Sequence, residues 1–214
     1  MASLAGRHLA VTGGHGALGR GVCAVLEARG AIVHVAPDPP VLRLDDEAQA
    51  EAFFAQLPPL WASIHLVGGF AMGPLAETTL AVFEAQWRVN TVTCFLSCRE
   101  AVRAIRKTGE GGRIVNVAAR PVLAPAAQMT AYASAKAGVA ALTQGLAVEL
   151  LREDILVNAV LPSLIDTPAN RAAMPDADHG SWPRPAQIAE AIAFLASPEN
   201  TLTTGTLLPV YGRA

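Results

Sequence analysis

Charge is scarce in this chain. Only 16% of its 214 residues are Asp, Glu, Lys or Arg, against about 25% in an average soluble protein, while 52% are hydrophobic. Disordered segments need the opposite balance, so disorder is excluded and much of the surface has to be hidden. Sixteen basic residues against eighteen acidic ones leave a net charge of -2, and no run of Lys or Arg is long enough to neutralise a series of phosphates. Nucleic acid and anionic membrane are poor partners for such a surface. Cysteine is limited to Cys23, Cys94 and Cys98, an odd number that suits reduced packing thiols better than a disulfide framework. Long uninterrupted apolar runs are missing too. The uncharged stretch that takes in Leu57 to Ala76 is broken by Pro58, Pro59, Pro74 and several glycines, so no membrane segment is expected. Met1 to Ala10 show no basic region followed by a long apolar stretch and a small-residue cleavage site, and a cytoplasmic location is expected.

What the chain does have is alternation. Short apolar runs interleave with longer segments of helical period, the pattern of repeated βαβ units around a parallel sheet. The length fits a single domain over residues 1–214. The expected fold class is α/β: a Rossmann-type, three-layer, doubly wound parallel sheet of about seven strands. These are placed near Arg7 to Val11, Ala31 to Val35, Val41 to Leu44, Ser63 to Val67, Arg113 to Val117, Ile155 to Val160 and Thr206 to Val210. Helices are expected over Leu18 to Arg29, Asp46 to Leu57, Leu80 to Gln86, Asn90 to Lys107, Thr130 to Leu151 and Pro185 to Ala196. Ser163 to Arg184 lacks periodicity and reads as an irregular substrate loop. The segment Thr130 to Leu151 is apolar or small on nearly every face, with Lys136 and Glu149 its only charges. A helix hydrophobic all round is buried all round, so a homo-oligomer, dimer or tetramer, is expected.

Directly after the first strand comes Thr12-Gly13-Gly14-His15-Gly16-Ala17-Leu18-Gly19, and a helix starts within it. Glycine permits the tight turn and close backbone approach that a pyrophosphate needs, and the helix N-terminus offers free N–H groups. Gly13, His15, Gly16, Leu18 and Gly19 are therefore candidate cofactor residues. Asp38, after the second strand, is placed to accept hydrogen bonds from an adenosine ribose and to repel a 2'-phosphate, which favours NAD. His15 or Arg43 would favour the phosphate, so NADP stays open behind it. Asp45 fits a partner for the adenine amine and equally a helix N-cap. Farther along, Tyr132-Ala133-Ser134-Ala135-Lys136 puts a phenol and an ammonium on one helix face. A nearby cation favours tyrosinate and makes Tyr132 a usable proton donor and acceptor.

On these residues the chain resembles the short-chain dehydrogenase/reductase family. The blocks that match, in order, are Thr12 to Gly19, Val89-Asn90, Gly112 to Val117, Tyr132 to Lys136, Pro162 with Thr167, and Thr204-Gly205. The resemblance implies hydride transfer with a nicotinamide cofactor. In that reading Tyr132 protonates the reduced atom, Lys136 holds the nicotinamide ribose, Asn90 positions a proton-relay water, and Pro162 and Thr167 lie along the cofactor. Three departures stand out. Ala17 falls where the family usually has its middle glycine, and Leu66-Val67-Gly68-Gly69 replaces the stretch after the fourth strand, leaving Gly68 and Gly69 as cofactor contacts. The family's active-site serine falls on Ala119. Losing one donor to a developing oxyanion costs about 10²- to 10³-fold in rate, so an activated C=N or C=O is the expected substrate.

Within the family, the glycine turn, the Gly-Gly pair, the absent serine and the segment Asp166 to Trp182 are similar to dihydropteridine reductases, which implies quinonoid dihydropterin as an example. The alternatives are a broad carbonyl reductase or alcohol dehydrogenase of the same family, and a non-catalytic nucleotide-binding or interaction protein. Ala119, Arg120 and Trp182 are substrate candidates: Arg120 as a charged donor or a solvent-facing residue, Trp182 as a stacking surface or loop packing. His65 reads as a satisfied core imidazole. Cys94 and Cys98 share a helix face, but no third ligand sits at metal spacing, and no metal is expected.

Overall fold

The computed structural model describes residues 3–213. Six strands, β1 (His8–Thr12), β2 (Ile32–Val35), β3 (Ala62–His65), β4 (Gly112–Val117), β5 (Ile155–Pro162) and β6 (Leu207–Val210), form one parallel sheet in the order β2-β1-β3-β4-β5-β6. The helices are α1 (Ala17–Ala28), α2 (Glu47–Ala55), α3 (Leu80–Trp87), α4 (Thr93–Arg106), α5 (Thr130–Glu149), α6 (Pro168–Ala173) and α7 (Pro185–Ala196). The chain steps outward from β1 to β2 and then crosses back to β3. That reversal opens a crevice at the carboxyl ends of β1 and β3.

Two apolar layers flank the sheet, and β1, β4, β5 and β6 feed both because successive side chains alternate. Leu9, Val11, Val115 and Val160 point toward α1 and α7, where Val22, Leu26, Ile188 and Ile192 meet them. Ala10, Ile114, Val157 and Ala159 point the other way, onto Cys98, Val102 and Ile105 of α4 and Val139 and Ala147 of α5.

Three expectations need correction. Val41 to Leu44 is a turn, not a strand. Pro37, Pro39 and Pro40 cannot donate to a ladder, Val41 is exposed, and β2 is left as the sheet edge. The helix expected from Asn90 is preceded by a π-helical turn, Arg88–Val92. The loop 163–184 contains α6 and a 3-10 turn at His179–Ser181. Thr167 starts α6 by accepting the Asn170 N–H (3.2 Å), with Pro168 at the first helical position, where its missing donor costs nothing. The outer face of α5 is open in the single chain, Val148 being 80% exposed.

Candidate active site

The crevice is built from glycines that nothing else can replace. A Cβ on Gly19 would lie 2.2 Å from the Gly13 carbonyl, and one on Gly13, where φ is +71°, would lie 2.9 Å from the Val67 nitrogen. The turn therefore folds onto α1 and against the end of β3 at backbone distance. Gly16 is the N-cap of α1 and has no side chain to satisfy the first turn, so the opening amides of Ala17, Leu18 and Gly19 face the crevice as an anion site. At its base Thr12 Oγ1 is buried without a hydrogen-bond partner. An uncapped helix end and an orphaned hydroxyl are what a pyrophosphate cradle requires, and the residues present fit a dinucleotide.

The adenosine end lies beyond β2. His15 Nδ1 stands 3.6 Å from Asp38 Oδ1, both half exposed. A cavity of about 320 Å³ opens beside Asp38, lined by Leu42, Asp45, Val67 and Arg88. Asp45 is not the helix cap: Asp46 accepts the Gln49 N–H at 3.0 Å. Asp45 instead takes two bonds from Arg43, at 3.2 and 2.9 Å, with Arg88 3.7 Å away. The Arg43 hydrogen bond holds the Asp45 carboxyl below the usual carboxylate range.

The reactive end is assembled by the Gly68-Gly69 loop. A Cβ on Gly68 would meet Asn90 Oδ1 at 2.8 Å and Lys136 Nζ at 3.0 Å, so both side chains close on this one residue. Asn90, in the π turn, donates to the Gly69 carbonyl (3.0 Å) and the Gln86 carbonyl (2.9 Å) and accepts the Gly69 N–H (3.2 Å). Its side chain is thus committed to clamping the loop. Inserted residues of this kind gather at functional sites because they turn a side chain off the regular helix face. Thr91 of the same turn donates to the Ala135 carbonyl at 2.8 Å, fixing α5 between Tyr132 and Lys136.

Lys136 is buried and donates to the Val117 carbonyl at 2.8 Å. Burial pulls its ammonium down to about 8, with Cys94 acting against it. Tyr132 meets Phe70 edge to face at 5.0 Å, and burial pushes its phenol up to about 12. The expectation that Lys136 lowers Tyr132 is therefore corrected: with the ammonium turned to Val117, desolvation governs the phenol, which stays protonated.

The other candidates have contacts of their own. Ala119 is buried and extended. Arg120 stacks its guanidinium 5.1 Å from the Tyr211 ring. Trp182 is buried against His179, ring centroids 4.6 Å apart, within the loop's own packing. Pro162 ends β5, and the Thr167 hydroxyl is engaged in capping α6. Gln128 holds φ +63°, and its carbonyl accepts the Gly73 N–H at 2.8 Å, linking two loops. The pattern Gly-Gly before Asn90 was readable; the clamp between them was not.

Comparison with known proteins gives the family. The enoyl-(acyl carrier protein) reductase family model matches residues 38–212. A (2S)-[(R)-hydroxy(phenyl)methyl]succinyl-CoA dehydrogenase subunit from Thauera aromatica is 38% identical over 65% of this chain, which spans 59% of that protein. A 4-formylbenzenesulfonate dehydrogenase from Comamonas testosteroni is 32% identical over 78% of this chain and 72% of its own. A dehydrogenase/reductase structure from Sinorhizobium meliloti superimposes with a TM-score of 0.87 at 28% identity, covering 99% of this chain and 96% of that one. The chain belongs to the short-chain dehydrogenase/reductase family of oxidoreductases.

Proposed function

We propose that this protein transfers a hydride between NAD(P) and an activated C=O or C=N on a flat ring. The observation that carries the reading is the closure of Asn90 and Lys136 on Gly68, with Phe70 set edge-on against Tyr132 two residues farther along the same loop. The cofactor supplies the hydride. Around it the chain's own residues orient and move a proton: Lys136 holds the ribose side of the site, Asn90 and Gly69 lock the loop, and the Tyr132 hydroxyl gives its proton to the substrate atom that gains charge.

The absence of a hydroxyl at Ala119 leaves that atom one donor short, which favours a substrate that is already electrophilic. Exposed apolar Phe70, Met72 and Leu123 are the apolar side chains of the adjoining loops, and both relatives described above carry a benzene ring in their names. Quinonoid dihydropterin remains our example of such a substrate; a simple aromatic aldehyde or ketone is the second reading, favoured by those names. Asp38 supports NAD ahead of NADP, with His15 beside it able to serve either. The same reading places the protein in the cytoplasm, where its free thiols stay reduced, and pairs it with a second copy across α4 and α5. Among the described residues no helix is long and apolar enough to cross a membrane.

The test is oxidation of NADH and NADPH by purified protein, with quinonoid dihydropterin, aromatic aldehydes and simple ketones in parallel. Tyr132→Phe should reduce turnover by about 10²- to 10⁴-fold with cofactor affinity nearly unchanged, since it removes a proton donor and little surface. Undiminished turnover in that variant would refute the proposed donor.

A further inference from the structure

Behind the active site, on the side of the sheet covered by α4, four donor atoms converge. His65 ends β3 and stands in register with Asn116 of β4, while Cys94 and Cys98 face them from one side of α4. All four residues are at most 5% exposed. The ligand atoms of His65, Cys94 and Cys98 lie within 4.8 Å of one another. The two sulfurs are 4.0 Å apart. Cys98 Sγ is 3.4 Å from His65 Nδ1 and 3.4 Å from Asn116 Oδ1, and these last two are 2.8 Å apart.

The separations that involve sulfur are close to the edges of a coordination tetrahedron, while His65 Nδ1 and Asn116 Oδ1, hydrogen-bonded at 2.8 Å, have to part by about 0.6 Å to admit an ion. Two thiolates bound at about 2.3 Å lie about 3.8 Å apart, and a thiolate and an imidazole nitrogen about 3.6 Å apart. The donors are also aimed. The Ser63 hydroxyl engages His65 Nε2 at 2.8 Å, which leaves Nδ1 toward the centre. Asn116 Nδ2 donates to Thr143 Oγ1 at 2.9 Å, which turns the amide oxygen inward. Outer partners of this kind orient metal ligands.

We propose that His65, Cys94, Cys98 and Asn116 form a closed site for one thiophilic divalent ion of the zinc class. Two thiolates neutralise the ion, so the site adds no net charge to the core. Binding releases the two thiol protons, and the imidazole proton moves from Nδ1 to Nε2, where Ser63 accepts it. With four protein donors and no open position, the site is structural; it ties β3 and β4 to α4 immediately behind Lys136. It does not depend on the substrate assigned above.

The experiment uses Co²⁺ as the probe. The full chain is produced in cobalt-supplemented minimal medium and purified under reducing conditions. The expected result is about one equivalent of cobalt with a thiolate-to-cobalt charge-transfer band and the intense d–d bands of tetrahedral geometry. Cys98→Ala should abolish the charge-transfer band. Ser63→Ala should keep it and weaken Co²⁺ binding about 10- to 100-fold. Cobalt-free protein, cobalt bound without a thiolate band, or a band that persists in both Cys94→Ala and Cys98→Ala would overturn the proposal. The wild-type spectrum decides the matter even if a variant fails to fold.

Discussion

Lys136 shows how far one residue's environment sets the behaviour of a site. Its side chain is carried into the interior by α5, and its ammonium is satisfied there by a single carbonyl, that of Val117. Burial disfavours the charged form, hence the fall from 10.5 to about 8. Tyr132, raised to about 12 by the same cause, keeps its proton well past the point where Lys136 loses its own. On the proposed function the alkaline limb of the reduction is therefore assigned to Lys136. We expect kcat/KM for substrate reduction, which reports the free enzyme, to fall about tenfold per pH unit above about 8 and to be level just below it. Lys136→Arg, whose guanidinium stays charged, should move that limb to higher pH. A wild-type profile that stays level well above 8 would mean that the ammonium is not required. The linked stability effect has the opposite sign: between about 8 and 10.5 the unfolded chain holds a proton that folded Lys136 has lost, so this group's contribution to stability rises with pH across that window.

At the scale of elements, the site depends on a loop and a helix approaching closer than any side chain would allow. Gly68 is hemmed by Asn90 and Lys136, whereas Gly73, five residues on, has no atom within 4 Å of its would-be Cβ. Gly68→Ala should lower kcat by about 10²-fold, because displacements of about 1 Å among catalytic groups have effects of that size. Gly73→Ala should be close to neutral. Steady-state kinetics and thermal melts of the pair separate this from loss of fold, and equal activities would dismiss the packing argument.

The same contrast marks what the sequence discloses. Pro185 at a helix start and the apolar period behind it place α7 at its observed bounds. The strand-glycine-helix succession places the cradle, because those signals are local. The π turn at Arg88–Val92 is invisible in the spacing, since it is set by Asn90 reaching the Gly69 backbone across the fold. Val41 to Leu44 has a strand's composition, but the prolines before it leave it no ladder to join. His65 is 33 residues from Cys98, so no reading of ligand spacing along the chain brings them together; the packing of α4 on β3 and β4 does.

For the whole molecule, the question is what covers α4 and α5. Their outer faces enclose a groove of about 810 Å³ with Val102, Leu142 and Leu146 among its apolar lining and Arg99, Arg103, Arg106 and Glu149 as charged groups. Phe95 is 45% exposed and Val148 80% exposed beside it. Contiguous exposed apolar surface of this kind marks association sites, and a two-fold partner would set like surfaces against each other with both charge signs available. Gly145 makes the test sharp. A Cβ there meets nothing within 4 Å in the single chain, and a glycine in mid-helix weakens the helix by about 0.5–1 kcal/mol relative to alanine. Gly145→Arg should therefore raise the thermal stability of an isolated chain. In a dimer or tetramer it drives a long cation into the apposed face and should lower stability. Light scattering should give a multiple of 22.2 kDa for the wild type at micromolar concentration and 22.2 kDa for the variant, with a lower melting temperature. A wild-type mass of one chain, with a melting temperature raised by Gly145→Arg, would mean that the exposed α5 face is simply solvated.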